Sequence, residues 1–176
     1  MFTPKVEKLL NEQIAAEFYS ANLYLSMSAW LDDHDYRGYA QWFYVQYKEE
    51  TDHALIIYNY LRNAGGVVRL SAIEAPPVEF GGVRDILAQS LEHEQLVTSL
   101  IYQINSQALA DKDFKTVQFL EWFIKEQVEE EDNSSTNLGR FDNFGSDARG
   151  LLSLDQELGT RVYTQTPQLA LYEGSV

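Results

Sequence analysis

The stretch Glu49-Glu50-Thr51-Asp52-His53 lies within a long pattern of apolar residues spaced three and four apart, which is typical of an α-helix. Glu50 and His53 are three residues apart, so their side chains lie on the same face of that helix. The same row contains Phe43 and Ile57, which predicts that Glu50 and His53 point toward the core. A carboxylate and an imidazole in this arrangement are half of a metal site, although one such pair is common by chance.

Three other helical patterns carry ligand-type side chains in their apolar rows. The four predicted helices begin near residues 5, 36, 83 and 114, and each is about 27 residues long. Within each helix the polar side chains lie about 12 to 14 residues from the start, and therefore at similar heights in a bundle. We expect one buried layer of six side chains, namely Glu17, Glu50, His53, Glu94, Gln127 and Glu130.

The connections between the helices predict an all-α four-helix bundle with one long crossover. Residues 67–81 contain Pro76-Pro77 and end at Gly81-Gly82, which excludes a helix there. At about 15 residues, this segment is long enough to run the length of the bundle, so helices two and three can lie parallel. Asp111-Lys112-Asp113 instead predicts a tight antiparallel turn between helices three and four.

The C-terminal part of the helical pattern is weaker. Residues 133–137 read Asn-Ser-Ser-Thr-Asn and have low helix propensity, so we expect the regular pattern of the fourth helix to weaken there. A short, leucine-rich fifth helix is predicted to begin at Ser146-Asp147, which can cap it, and to end at Gly159. We expect one domain over residues 1–161 and an irregular tail over residues 162–176.

The composition excludes several classes of function. The chain has 176 residues and a formal net charge of −14, so its surface repels nucleic acid and anionic lipid and attracts cations. It has no cysteine, which excludes disulfides, thiolate metal sites and a cysteine nucleophile. We expect no signal peptide, and no apolar run approaches the roughly 20 residues of a membrane span. A cytoplasmic protein without nucleic-acid or membrane partners is therefore predicted.

The predicted layer carries a negative charge that bound cations would neutralise. Burying one unpaired carboxylate is costly, and four together would repel one another strongly. Four carboxylates and one imidazole carry enough charge to hold two divalent or trivalent ions. Their oxygen-rich ligation suits iron or manganese, with zinc as a competitor. A single glutamate in such a row is usually a helix-edge residue that reaches water, but the match in height across four helices favours a metal site.

A second acidic row lies beside the first and is either a third, more exposed metal position or a solvated helix face. This row consists of Glu49, Glu126 and Glu129. Tyr24 and Trp122 fall next to the layer, where core packing is the more common role of an aromatic residue. His34 and His93 are expected at the surface, because His93 points about 100° away from Glu94 on the helix.

These motifs resemble those of the ferritins of the non-haem bacterial type, over about residues 5–160. The matching stretches are Asn11-Glu12-Gln13 with Glu17 and Tyr24, Glu49-Glu50-x-x-His53, Leu91 to Leu96, Phe119 to Trp122, and Glu126 to Glu130. The resemblance implies an iron-storage protein with ferroxidase activity, for which Fe²⁺ and O₂ or H₂O₂ are substrates. It also implies a homo-oligomeric shell of 24 subunits that stores ferric mineral.

The resemblance further implies a role for each candidate residue. The first iron site corresponds to Glu17, Glu50 and His53. The second corresponds to Glu94, Gln127 and Glu130, and a third to Glu49, Glu126, Glu129 and Glu130. The residues implied in catalysis are Glu50, as a ligand that bridges the two irons, and Tyr24, as a tyrosine next to them. Trp122 corresponds to a neighbouring tryptophan, and Glu121 resembles a residue that lines a three-fold channel.

Related families differ from this chain in their motifs. A haem-binding bacterioferritin would have a second E-x-x-H on the fourth helix and a methionine after Glu50, whereas this chain has Gln127-Val128-Glu129-Glu130 and Thr51. We therefore expect no haem. A rubrerythrin would need cysteines, and a Dps-type dodecamer would lack the fifth helix. Residues 133–137 and the tail after Arg161 depart from the ferritin pattern.

Two other functions stay open at the level of the sequence. One is a storage or structural shell that binds metal but turns it over slowly. The other is a di-iron oxidase that acts on an organic substrate, which would require an open pocket beside the metals.

Overall fold

The computed structural model describes residues 2–173, apart from the side chain of Glu173, and these residues form six helices and no strand. The helices are α1 (Pro4–Asp33), α2 (Arg37–Asn63), α3 (Val83–Ala110), α4 (Phe114–Phe144), α5 (Ala148–Leu158) and α6 (Pro167–Glu173). The all-α class, the four long helices and the short fifth helix are therefore confirmed. Within these described residues, no helix is long and apolar enough to cross a membrane.

The long crossover between α2 and α3 runs beside α1. Asn11, near the start of α1, donates from Nδ2 to the carbonyl oxygen of Val67 at 3.0 Å. Ser26, near the other end of α1, donates from Oγ to the carbonyl oxygen of Pro77 at 2.6 Å. The crossover thus spans most of the length of the bundle, as predicted, and it allows α2 and α3 to run in the same direction.

Polar caps stabilise the end of the bundle at which α1 and α4 begin. Asp113 Oδ1 accepts a hydrogen bond from the backbone N–H of Thr116 at 3.2 Å, which caps α4 after the tight turn. Thr3 caps α1 in the same way, since its hydroxyl accepts from the N–H of Val6 at 3.3 Å. The Thr3 hydroxyl also donates to Asp111 Oδ2 at 2.5 Å, so the start of α1 is tied to the α3–α4 turn.

Apolar packing encloses the predicted polar layer on both sides. One cluster of buried apolar residues includes Leu10 and Ile14 of α1 and extends over α2, α3 and α4. The other includes Leu23 and Met27 of α1 and extends over α2, α3 and α5. Glu17 lies between the two clusters along α1, so the layer is sealed from water above and below. This seal is the physical reason why the carboxylates in the layer are strongly desolvated.

The helix α4 stays regular through residues 133–137, which corrects the expectation from helix propensity. It runs without interruption for 31 residues to Phe144. Ser134 and Asn137 are each only 8% exposed, and Ser134 Oγ lies 3.4 Å from Ser90 Oγ of α3. The polar run therefore faces a neighbouring helix, and this packing overrides its weak helix propensity.

The tail is not irregular throughout, which also corrects an expectation. Within it the structure contains α6, which packs on α2. Leu169 is 2% exposed, and the ring of Tyr172 lies 6.1 Å from that of Tyr60 and 5.6 Å from that of Phe119. A seven-residue helix shows no clear period in the sequence and is stabilised by packing. Residues 174–176 of the tail lie outside the described part, and the domain boundary at residue 161 stays a prediction.

The helix α5 docks against the start of α2. Asp155 Oδ1 accepts hydrogen bonds from the backbone N–H groups of Gly38 and Tyr39 at 2.9 and 3.0 Å. It therefore supplies the side-chain cap that Tyr36, at the N-cap position of α2, does not provide. A Cβ atom on Gly38 would lie 1.6 Å from the carbonyl oxygen of Asp155, so this close approach requires glycine.

Candidate metal centre

The six side chains of the predicted layer are all buried in the bundle, and none is more than 4% exposed. Glu17 comes from α1, Glu50 and His53 from α2, Glu94 from α3, and Gln127 and Glu130 from α4. Each occupies the apolar row of its helix, so burial of that row carries the polar side chains inward with it. The residues are described below in three groups: two inner halves, which together form the inner centre, and an outer acidic group.

The first half of the inner centre consists of Glu17, Glu50 and His53. One ligand atom from each of these residues lies within 4.8 Å of the ligand atoms of the other two. His53 Nδ1 lies 3.3 Å from Glu50 Oε2. A carboxylate oxygen from each of two helices and an imidazole nitrogen thus converge on one small volume, as the ligands of a cation do.

Two oxygens in this first half have no hydrogen-bond donor. Glu17 Oε1 accepts from Gln13 Nε2 at 2.8 Å, but Glu17 Oε2 is buried without a hydrogen-bond partner. Glu50 Oε1 is buried without a partner as well. A buried carboxylate oxygen without a donor is unfavourable unless a proton or a cation satisfies it. These two oxygens are therefore the atoms most available to a metal ion.

The second half of the inner centre contains Glu94, Gln127 and Glu130. Glu94 Oε1 accepts a hydrogen bond from the hydroxyl of Tyr24, and Glu94 Oε2 accepts one from Gln127 Nε2 at 3.1 Å. Glu130 Oε2 accepts a hydrogen bond from Gln46 Nε2 at 2.8 Å. The carboxylates of this half are already oriented by donors, so Gln127 here acts as a donor to Glu94 through its amide nitrogen.

Burial is the main cause of the strong pKa shifts in the layer. Burial, followed by the nearby charge of Glu50, raises the pKa of Glu17 to about 8. It also raises the pKa of Glu94 to about 8, with an added contribution from Glu130. The pKa of Glu50 is raised well above its ordinary value by burial, and then by Glu94 and Glu130. Without a cation the layer therefore holds protons at neutral pH, and one such proton can bridge Glu17 and Glu50.

The charges that act on Glu50 also indicate its place in the layer. Glu50 belongs to the cluster with Glu17 and His53, yet Glu94 and Glu130 are the largest electrostatic influences on its pKa after burial. Glu50 is therefore close enough to both halves of the inner centre for the charges of both to act on it.

Aromatic residues surround the inner centre. The ring of His53 lies 5.5 Å from that of Trp122 and 5.9 Å from that of Phe123. The pKa of Tyr24 is raised well above its ordinary value, first by burial and then by Glu94, so Tyr24 stays a neutral phenol that donates to Glu94. These rings exclude water from the layer and orient its ligands.

The outer acidic group consists of Glu49, Glu126 and Glu129, and the structure spreads these residues around the inner centre. Glu126 Oε1 lies 3.9 Å from His53 Nε2, on the far side of the imidazole ring from Glu50. Burial raises the pKa of Glu49 to about 7, although the positive charge of Arg161 opposes this shift. Glu129 is exposed and lines a surface cavity with Thr98. The three carboxylates are linked electrostatically, because the charge of Glu129 raises the pKa of Glu126 and the charge of Glu126 raises that of Glu49.

The two remaining histidines differ in their surroundings. His34 is exposed, as expected, and its Nδ1 lies 2.7 Å from the carbonyl oxygen of Trp30. His93, which was expected at the surface, is instead half-buried, and its Nε2 lies 2.7 Å from Ser20 Oγ. Burial lowers the pKa of His93 to about 4, so it is neutral at physiological pH. A residue beside the core-facing row of a helix becomes half-buried when a neighbouring helix packs over it. The spacing of apolar residues in the sequence does not show whether this packing occurs.

Three residues that contact the candidate ligands were given no role from the sequence, namely Gln13, Gln46 and Arg161. Gln13 and Gln46 donate to Glu17 and Glu130, respectively. Gln46 lies in the same apolar row as Glu50, so its position in that row was a usable signal. Arg161 lies in a segment without a period, and no pattern in the sequence predicts its contact with Glu49.

Comparisons with known proteins agree with this arrangement. A sequence profile described as "Ferritin-like domain" matches residues 7–144. A "Probable bacterial non-heme ferritin-like protein" of Haemophilus influenzae is 39% identical over 159 residues, which are 90% of this chain and 96% of that protein. A "Bacterial non-heme ferritin" of Staphylococcus aureus (strain MRSA252) is 36% identical over 165 residues, which are 94% of this chain and 99% of that protein.

Solved structures show the same likeness in three dimensions. An open pore ferritin from the hyperthermophilic archaeon Archaeoglobus fulgidus superposes with a TM-score of 0.91 at 39% identity, covering 92% of this chain and 100% of that one. A closed form of the same ferritin, made by site-directed mutagenesis, also gives a TM-score of 0.91 at 39% identity, over 93% of this chain and 100% of that one.

Proposed function

This chain belongs to the ferritin family of iron-storage proteins, and on that premise we propose that it oxidises Fe²⁺ to Fe³⁺ at a two-iron centre inside its own helix bundle. The observation that carries the proposal is the pair of buried carboxylate oxygens without a donor, Glu17 Oε2 and Glu50 Oε1, beside His53. A sealed protein core tolerates such atoms when a cation binds them. The chain's net charge of −14 also attracts Fe²⁺ from solution.

We assign the ligands of the first iron to Glu17, Glu50 and His53, and those of the second to Glu94 and Glu130, with Gln127 nearby. Glu50 bridges the two ions, an assignment supported by the influence of Glu94 and Glu130 on its pKa. Gln127 donates to Glu94 through its amide nitrogen and so orients that ligand. Counting the shared Glu50, each ion has three strong ligands. The neutral amide of Gln127 beside Glu130 on α4 should make the second site weaker, and its iron more exchangeable, than in an all-carboxylate site.

The chain's own residues hold the two ions in place, exclude water from them and release or accept protons during the reaction. Two Fe²⁺ ions held side by side supply two electrons, which reduce O₂, with two protons, to H₂O₂. With H₂O₂ as the oxidant, two electrons and two protons convert it to two waters. Glu17, Glu50 and Glu94 release protons when they bind the metal ions, because burial keeps them protonated in the metal-free protein. Tyr24 donates to Glu94 and holds that ligand in place throughout.

A third iron position formed by Glu49, Glu126 and Glu129, together with Glu130, would receive iron after oxidation. It is supported by the position of Glu126, which approaches His53 from the side opposite Glu50. Glu49, Glu126 and Glu129 are more exposed than the ligands of the inner centre, so an ion there is better placed to leave for the mineral store. Glu121 is exposed and stays our candidate for a channel lining.

We further propose that the chain forms a cytoplasmic shell of 24 copies and binds no haem. A shell of this size would have a mass of about 480 kDa, since one chain has a mass of 20.2 kDa. Light scattering of the purified protein tests this number directly.

The rate of iron oxidation tests the ferroxidase assignment. Fe²⁺ is mixed anaerobically with the protein, O₂-saturated buffer is added, and the initial rate of Fe³⁺ formation is followed by absorbance. Glu50→Ala should lower this rate roughly 100-fold, because it removes the ligand shared by both ions. Glu92→Gln, a change at an exposed glutamate of α3, serves as the matched control and should leave the rate unchanged.

Wild-type protein that oxidises iron only at the uncatalysed rate would refute the ferroxidase proposal and leave a slow storage shell. An oxidase of organic substrates has less support, because the surface cavity of about 720 Å³ beside the centre is lined by Thr98, Tyr102 and Glu129 and by none of the six inner ligands.

A further inference from the structure

The segment after α5 places a guanidinium group against the outer acidic group. Arg161 Nη2 donates to Glu49 Oε2 at 2.7 Å, and Nη1 of the same side chain donates to Gln46 Oε1. The guanidinium also lies over the indole of Trp42, with Cζ 3.9 Å from the ring centroid. The Arg161 side chain is only 19% exposed, so it is a fixed cation and not a solvated surface arginine.

The position of Arg161 does not depend on the ion pair with Glu49 alone. Gln41 Nε2 donates to the carbonyl oxygen of Arg161 at 3.0 Å. Two residues later, the Tyr163 hydroxyl donates to Asp52 Oδ2 at 2.9 Å. The segment therefore follows α2 and is attached to it on both sides of the Arg161–Glu49 contact. This attachment lowers the conformational entropy that Arg161 loses when it pairs with Glu49.

Arg161 opposes the binding of a second cation at Glu49 in two ways. One oxygen of Glu49 is already engaged by Nη2, so a metal ion must share that oxygen or displace the guanidinium. The positive charge of Arg161 also repels an arriving cation, and a unit charge at such close range changes affinity by about tenfold in a partly exposed site. Glu126 and Glu130 add negative charge near Glu49, and His53 also lies close to it.

We propose that Arg161 is the resident counter-cation of the outer acidic group and sets how weakly a metal ion binds there. The proposal rests on the outer iron position proposed above. When a metal ion binds Glu49, it displaces the guanidinium of Arg161. The guanidinium pairs with Glu49 again once the ion has left. Arg161 thereby keeps the outer position transient while the inner centre binds tightly. It is a positioning residue and does not contact the inner ligands, which it reaches only through Gln46 and the bond from Gln46 to Glu130.

Titration of the assembled, metal-free protein with Zn²⁺ in a calorimeter tests the proposal, because Zn²⁺ undergoes no redox chemistry. The wild type should bind two ions per chain tightly and a third weakly. Arg161→Gln should tighten the third site about tenfold. Tyr163→Phe is the matched control, because it removes another contact between the same segment and α2 while keeping the guanidinium. It should bind Zn²⁺ as the wild type does.

A double variant, Arg161→Gln with Glu49→Gln, tests whether the tighter binding of the third ion depends on Glu49. It should bind the third ion no more tightly than the wild type. An Arg161→Gln protein whose third site is unchanged or weaker would overturn the proposal, as would a gain that survives in the double variant. Arg161→Lys keeps the charge without the two-pronged contact and should lie between the wild type and Arg161→Gln. Loss of the two tight ions in every variant, the wild type included, would instead refute the inner centre of the proposed function.

Discussion

Proton release on metal binding reports directly on the buried carboxylates. Two equivalents of Zn²⁺ added to the metal-free protein at pH 7 should release about two to three protons per chain. Burial raises the pKa of Glu17 and of Glu94 to about 8, and that of Glu50 well above its ordinary value. An ordinary glutamate, with a pKa near 4.5, would already be ionised at pH 7 and would release no proton.

The size and the pH dependence of the effect follow from these values. A carboxyl group with a pKa of about 8 is about 90% protonated at pH 7 and about 25% protonated at pH 8.5. Together Glu17 and Glu94 should therefore release nearly two protons at the lower pH and about half a proton at the higher one. Glu50 adds up to one more at pH 7, because its pKa is raised as well.

Calorimetric titrations in buffers of different ionisation enthalpy give the number of protons released at each pH. Glu17→Gln should lower the release at pH 7 by about one proton, since an amide carries no acidic proton. Glu92→Gln again serves as the exposed control and should leave the number unchanged. A release below about half a proton per chain at pH 7, or one that increases toward pH 8.5, would show that the carboxyl groups of the layer are already ionised in the metal-free protein.

Three further outcomes are expected. The metal-free protein should lose thermal stability as the pH rises from about 5 to 8. The pKa values of Glu17 and Glu94 in the folded state lie above the unfolded value of 4.5, so the folded state binds more protons in this range. Scanning calorimetry that shows increasing stability over this range would contradict the prediction. Gln46→Leu should weaken the second Zn²⁺ site at least tenfold by removing the donor to Glu130, and equal affinity would show that Glu130 needs no such support. Leu169→Ala should destabilise the protein by roughly 2–4 kcal/mol and speed hydrogen exchange in α6, whereas unchanged exchange would mean that α6 is not docked.

The fold and the inner layer were predictable from the sequence because both depend on periodicity. Glu50 and His53 interrupt an apolar row, and a row with this spacing must face the core. The matched heights of Glu17 and Glu94 follow from helix length alone. The crossover and the tight turn were marked by proline and by aspartate, whose local effects are strong.

The rest depended on tertiary packing, which a single sequence does not display. Residues 133–137 have poor helix propensity but stay helical because Ser134 packs against Ser90 of a neighbouring helix. His93 is enclosed because Ser20 lies opposite it on α1. Arg161 reaches Glu49 across 112 positions of sequence, through a segment that has no regular pattern. The direction of Gln127, which donates to Glu94, likewise depends on its neighbour and not on its spacing.

We propose that the bundle itself holds two irons side by side, with Glu50 between them. Crystals soaked anaerobically in Fe²⁺, with data collected on both sides of the iron absorption edge, test it most directly. Two anomalous peaks are expected inside each bundle, one among Glu17, Glu50 and His53 and the other among Glu50, Glu94 and Glu130. A bundle with one peak or none, or iron found only at surface carboxylates, would contradict it.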